Sequence, residues 1–126
     1  MKTATLYNLY QKHFLVDTDT RNIRKNTIFF ALKGDNFNGN TFAEQALKLG
    51  ASYAVVDEKE FQTNDRILLV ADVLKALQEL ANFHRKQLHI PIIGLTGSNG
   101  KTTTKELIHV VLSKKFNTIA TKGNLN

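Results

Sequence analysis

Residues 92–104 read Ile92-Ile93-Gly94-Leu95-Thr96-Gly97-Ser98-Asn99-Gly100-Lys101-Thr102-Thr103-Thr104. The apolar run at the start of this stretch has the look of a buried strand. Beyond the glycine-rich turn, Leu107, Ile108, Val111 and Leu112 recur at the spacing of one helix face. Strand, glycine-rich loop and helix, in that order, are the setting of a phosphate-binding loop.

The chemistry needs these residue types in this order. Gly97 and Gly100 open backbone conformations closed to other residues, so successive N–H groups can turn inward as an anion nest. The positive end of the helix beginning near Lys101 adds to that field. Gly97, Ser98, Asn99, Gly100, Lys101, Thr102 and Thr103 are therefore the expected phosphate-binding residues. Lys101 is the candidate catalytic residue, because its ammonium can reach the outer phosphates. The Thr102 hydroxyl stands where such loops hold Mg2+. Against the common pattern GxxxxGK[ST] there is one departure: Leu95 occupies the place of the first glycine.

Thr96-Gly97-Ser98-Asn99-Gly100-Lys101-Thr102 resembles the nucleotide loop of the Mur ligases of bacterial cell-wall synthesis, a loop shared with folylpolyglutamate synthases. Within that family, Thr103-Thr104-Lys105-Glu106 and the terminal Thr121-Lys122-Gly123-Asn124-Leu125-Asn126 look like the branch that adds D-alanyl-D-alanine. The resemblance implies an enzyme that uses ATP and Mg2+ to phosphorylate the terminal carboxylate of UDP-N-acetylmuramoyl-tripeptide, and it makes the phosphate-binding residues Gly97 to Thr103 ATP-binding residues. The amine of D-Ala-D-Ala then attacks the acyl phosphate. The branch that adds the third amino acid shares this chemistry and is the nearest alternative, followed by some other phosphoryl-transfer enzyme with the same loop.

The family resemblance extends to the first half of the chain. Asp19-Thr20-Arg21, the run Phe29 to Gly34, and Asn38-Gly39-Asn40 fill the places of Asp-[Ser/Thr]-Arg, Ala-Leu-x-Gly and Asp-Gly-His in the module that receives the UDP part of the substrate. The last triplet departs at two positions. The implied UDP-substrate residues are thus Thr20, Arg21, Gly34, Asp35, Asn36 and Phe37. By residue chemistry alone, Arg21 offers a fork of donors suited to phosphate or carboxylate and Thr20 a hydroxyl. Asp-Thr-Arg is equally an ordinary capped turn with a local ion pair.

Composition narrows the classes. The 126 residues suit a compact domain, and 42% hydrophobic content supports an ordinary core. No run approaches the ~20 apolar residues of a membrane span, and the start lacks the apolar core of a signal peptide, so the chain is expected in the cytoplasm. There is no cysteine, and the four histidines show no ligand spacing. The net charge of +6 is spread along the chain without a long basic block, and an ATP or UDP partner explains its sign without nucleic acid. A monomer is expected.

Taken in order, residues 3–14 carry Leu6, Leu9, Tyr10 and Phe14 at helical spacing, and 16–21 favour turns. Thr27–Leu32 reads as a buried strand, and 33–40 as a loop too polar for regular structure. A helix follows over 41–49, with Thr41 and Glu44 as a capping box and Gly50 as its left-handed stop. Strands are expected at 53–56, 67–70 and 117–121. A long helix from Asp72 has Leu74, Leu77, Ala81, His84 and Leu88 on one face, with His84 bonded to a backbone carbonyl.

This alternation predicts an α/β architecture with parallel pairing. The expected organisation is a small UDP-substrate module at 1–89 and, at 90–126, the first strand, phosphate loop, helix and strand of a central ATPase domain. So few residues cannot cover a parallel sheet on both faces. The chain is thus expected to be a piece of a longer ligase, inactive alone, with its 90–126 segment packed on the first module or self-associating.

Overall fold

The computed structural model describes residues 2–123 and divides into two compact units, Met1–His89 and Ile90–Asn126. The first unit opens with α1 (Thr3–His13), whose Leu6 and Tyr7 are buried. Phe14 ends the helix in a left-handed conformation, φ 53°, with its N–H donating to the Tyr10 carbonyl. β1 (Val16–Asp17) and β2 (Ile28–Phe30) follow, then a hairpin of β3 (Lys33–Gly34) and β4 (Phe37–Asn38). The unit continues through α2 (Ala43–Leu49), β5 (Tyr53–Val56), β6 (Ile67–Leu69) and α3 (Val73–Gln87).

β1, β2, β5 and β6 form one parallel sheet in that order, with Val16 opposite Ile28, Ile28 opposite Tyr53 and Ala54 opposite Ile67. Side chains alternate across a strand, and β2 distributes its apolar residues accordingly. Phe29 and Ala31 pack with Ala43, Ala46 and Leu47 of α2. Ile28 and Phe30 point the other way, onto Leu6 and Tyr7 of α1 and Val73 and Leu80 of α3. Three layers result. Each of Ile28, Phe29 and Phe30 is at most 2% exposed, and burial on that scale is worth about 1.5–3 kcal/mol per side chain. Gly50, at φ 116°, stops α2 as its position predicts.

Several local expectations are corrected. Val16–Asp17 is an edge strand, because backbone pairing with β2 outweighs the turn preference of its neighbours. Residues 33–38 are not irregular: Lys33 pairs with Asn38 and Gly34 with Phe37 across a short antiparallel hairpin. The capping box does not form. Gly39–Phe42 is a 3-10 turn that enters α2 directly, so Thr41 donates its hydroxyl to the Asn38 carbonyl while Glu44 accepts from Thr63.

The helix starts at Asp72 as expected, with the Asp72 carboxylate capping α3 by accepting from the Lys75 N–H, but it turns a different face inward. Val73 and Leu80 are buried, Ala76, Leu77 and Phe83 pack beside them, and Leu74 is exposed. The repeat Val73, Ala76, Leu77, Leu80, Phe83 is the more continuous 3.6-residue stripe. His84 lies beside it with its Nδ1 3.3 Å from the Tyr7 hydroxyl, a side-chain partner and not a carbonyl.

In the second unit α4 (Lys101–Ser113) forms as predicted. The expected strands before it and at 117–121 do not. A strand exists only where a neighbour takes its N–H and C=O groups, and no described residue pairs with either stretch. Ile92, Ile93, Leu107, Val110, Val111 and Ile119 are all exposed.

Candidate functional site

The glycine loop takes the conformations its residues allow. Gly97 has φ 139° and Gly100 φ 75°, both in the region that L side chains rarely adopt. Gly100 is the N-cap of α4 and supplies no capping side chain. The first i to i−4 bond of the helix runs from Thr104 N–H to the Gly100 carbonyl at 2.9 Å. The N–H groups of Lys101, Thr102 and Thr103 are therefore the unpaired donors of a 13-residue helix N-terminus. Such donors and the helix dipole together suit an anion. Lys101 arches back over the loop, its Nζ donating to the Gly97 carbonyl at 2.6 Å. An ammonium held by one carbonyl can exchange that contact for a phosphate oxygen. The residues present thus fit a nucleotide phosphate chain, with the Thr102 hydroxyl in the first turn of the helix available to a divalent cation.

The remaining expected residues lie in the first unit, at the end of the sheet from which its parallel strands all emerge. Open parallel sheets take ligands at that end. Thr20–Asn22 is a 3-10 turn following β1, and the hairpin follows β2, the neighbouring strand. Arg21 is not free: its guanidinium bonds the Asp19 carboxylate at 2.6–3.0 Å, and its own N–H donates to Asp19 Oδ1 at 2.9 Å. These bonds hold the Asp19 carboxyl down at about 2. With its side chain 86% exposed, Arg21 sits in the capped turn with a local ion pair that residue chemistry allows. In the hairpin, Asp35 and Asn36 form the exposed tip. Gly34 lies under the Phe37 ring, and a Cβ on Gly34 would fall 2.3 Å from a ring carbon. Phe37 is 57% exposed, an aromatic face presented to solvent.

Between these loops and the core lies a polar network that reading the chain did not assign. Asn40, fully buried, donates Nδ2 to Asn38 Oδ1 and to Asp57 Oδ1, both at 2.9 Å, and accepts from the Asp57 N–H at 3.0 Å. Asp57 Oδ2 accepts from the Val73 N–H at 3.2 Å, at the first turn of α3. Lys33 Nζ reaches Asp57 Oδ1 at 3.0 Å and Glu58 Oε1 at 3.4 Å. Asn38 Nδ2 donates to Glu58 Oε2 at 2.9 Å. Asn38 and Asn40, the two departures from the family triplet, therefore brace the base of the hairpin. The signal was Asp57 itself, an acid directly after an apolar strand, but its partners are distant in sequence.

A layered parallel sheet in the first unit and a Gly-Lys-Thr loop opening a helix in the second mark an α/β protein. Two family descriptions match its sequence: "Mur ligase family, catalytic domain" over residues 13–85 and "Mur ligase middle domain" over 95–126. The chain belongs to the Mur ligase family. It is 42% identical over 113 residues to the UDP-N-acetylmuramoyl-tripeptide--D-alanyl-D-alanine ligase of Bacillus subtilis, covering 88% of this chain and 25% of that one. The Escherichia coli ligase of the same name is 40% identical over 111 residues, 88% of this chain and 24% of that one. Among solved structures, MurF ligase from Thermotoga maritima in complex with ADP superimposes with a TM-score of 0.77 at 34% identity, covering 89% of this chain and 26% of that one. MurF from Acinetobacter baumannii gives 0.76 at 34% identity, covering 94% and 29%. The chain spans about a quarter of the length of the curated relatives it matches. No described helix is long and apolar enough to cross a membrane.

Proposed function

We propose that this chain is the N-terminal part of an ATP-dependent ligase that joins D-Ala-D-Ala to UDP-N-acetylmuramoyl-tripeptide in peptidoglycan synthesis. The observation that carries the proposal is the uncapped start of α4 at Gly100, φ 75°, where the N–H groups of residues 101–103 precede the first i to i−4 bond and Lys101 reaches back to the Gly97 carbonyl. Identities of 40–42% to D-alanyl-D-alanine-adding ligases across most of the chain support that branch over its relatives.

In this reading Gly97–Thr103 cradle the ATP phosphates and Lys101 stabilises negative charge on the transferring phosphoryl group. Thr102 holds Mg2+, which supplies further charge neutralisation when bound. A carboxylate is a poor acyl donor; transfer of the terminal phosphoryl group to it creates a good leaving group for attack by the amine. Residues 1–89 receive the UDP part of the donor through Thr20, Arg21 and the Gly34–Phe37 hairpin. Arg21 then exchanges Asp19 for a ligand anion, and Phe37 offers a stacking face. The working protein is a cytoplasmic monomer, and this chain by itself has no ligase activity.

The test is a titration of the nitrogen-15-labelled chain with UDP-N-acetylmuramoyl-tripeptide, then with magnesium ATP. Amide shifts at residues 20, 21 and 34–37 with the donor, and at 97–103 with ATP, are the expected outcome. A response at 97–103 alone removes the UDP assignment. Silence at 97–103 with millimolar ATP removes the nucleotide assignment.

A further inference from the structure

Lys101, Lys105 and His109 stand one turn apart on one face of α4. Each reaches a polar atom outside the helix. Lys101 Nζ donates to the Gly97 carbonyl at 2.6 Å, and Lys105 Nζ to the carbonyls of Thr121 and Gly123 at 2.5 and 3.3 Å. His109 Nδ1 lies 3.0 Å from the Thr118 hydroxyl. Along the helix from His109 toward its start, the partners are met in the order 118, 121, 123. The segment after α4 therefore runs back antiparallel to it, toward the glycine loop.

Lys105 is the fastening that brings this segment closest. Its side chain is 14% exposed, unusual for lysine, and the Glu106 carboxylate 2.9 Å away balances the charge. No described residue offers the 121–123 stretch a strand partner, so the ammonium takes over the role of a ladder for these carbonyls. Lys105 is also one helical turn, about 5–6 Å, from Lys101.

We propose that Lys105 is a positioning residue of the nucleotide site. It holds residues 121–123 beside the start of α4 as a second wall of the phosphate cradle, and it turns two carbonyl oxygens away from the bound anion. Those oxygens, if released, can face the phosphates, which they repel. The proposal rests on the nucleotide-binding reading above, and it is separable from that reading because the hold on 121–123 exists before any ligand arrives.

The experiment compares the whole labelled chain with Lys105→Met, which keeps length and loses charge, and Lys105→Arg, which keeps charged donors. Without ligand, Lys105→Met is expected to lower the heteronuclear Overhauser effect of the Lys122 and Gly123 amides, leaving residues 107–112 of the helix unchanged. Lys105→Arg restores it. Magnesium ATP affinity should fall about tenfold in Lys105→Met, the scale of one charge-assisted hydrogen bond, and recover in Lys105→Arg. Unchanged amides at 122 and 123 overturn the proposal, as does their release without loss of ATP affinity. If ATP fails to move residues 97–103 of the unaltered chain, the nucleotide reading falls, and the second-wall role with it, while the ligand-free comparison still decides whether Lys105 holds the segment.

Discussion

Asn40 and Asp57 exchange two hydrogen bonds: the Asn40 Nδ2 donates to Asp57 Oδ1 at 2.9 Å and the Asp57 N–H donates to Asn40 Oδ1 at 3.0 Å. This reciprocal pair joins the base of the hairpin after β2 to the residue after β5. Through Asp57 Oδ2 it also reaches the first N–H of α3. The end of the sheet that carries the hairpin is thereby fixed to the core.

Replacing Asn40 should be costly. In Asn40→Leu the side chain fills similar space but leaves the Asp57 N–H and part of its carboxylate without partners in a buried setting. A loss of about 2–4 kcal/mol is expected. Urea unfolding of the variant and the parent measures it, and a loss below about 0.5 kcal/mol means the network carries little stability.

Asp57 makes that stability depend on pH. Burial raises its carboxyl affinity for protons, but bonds from Asn40, Lys33 and the Val73 N–H outweigh this and hold it below the ordinary 3.8. A carboxyl depressed in the folded state contributes stability that is fully present above its unfolded value and lost as pH falls through the folded one. The gap in urea midpoint between the parent and Asp57→Asn should therefore be wide at about pH 7 and narrow below pH 3.8. A gap independent of pH would place the effect elsewhere.

Gly39 and Gly34 should respond oppositely to alanine. A Cβ on Gly39 would lie 2.1 Å from the Leu32 carbonyl oxygen, backbone that cannot move aside without opening the turn. Gly34 would meet only the Phe37 ring, which can swing away. Gly39→Ala is expected to lower stability by about 1–3 kcal/mol. Gly34→Ala should cost little in stability yet weaken binding of UDP-N-acetylmuramoyl-tripeptide, because Phe37 is displaced. Thermal melts paired with donor titration separate the two.

Arg21→Ala tests the turn after β1. Its ion pair with Asp19 is exposed, and solvent screening leaves such pairs little net stability, so the melting temperature should hardly move. Donor affinity should fall about tenfold or more if the guanidinium grips a ligand anion. A normal affinity would leave Arg21 as the lock of a capped turn.

Lys101→Met should lower magnesium ATP affinity by at least about tenfold, since one charged donor to phosphate is removed. Residues 101–113 should remain helical by amide shift, because the Lys101 ammonium's one hydrogen bond among the described residues goes to the loop carbonyl of Gly97. Loss of the helix would assign Lys101 a folding role instead.

Sequence by itself determined the elements and the motif: the continuous apolar run of β2, the Gly50 stop of α2, the start of α3 at Asp72, and the order of glycines, lysine and threonine that opens α4. These are local preferences, settled by a residue and its near neighbours. Tertiary structure decided what local preference cannot see. Val16–Asp17 became a strand because β2 lay alongside it, while 92–95 and 117–121, equally apolar or β-branched, found no described partner and stayed irregular. The true inward face of α3 was chosen by α1 and the sheet. Asn38, Asn40, Asp57 and Lys105 acquired their roles only when contacts distant in sequence closed, since a hydrogen bond across 16 or 17 residues leaves no periodic trace in the chain.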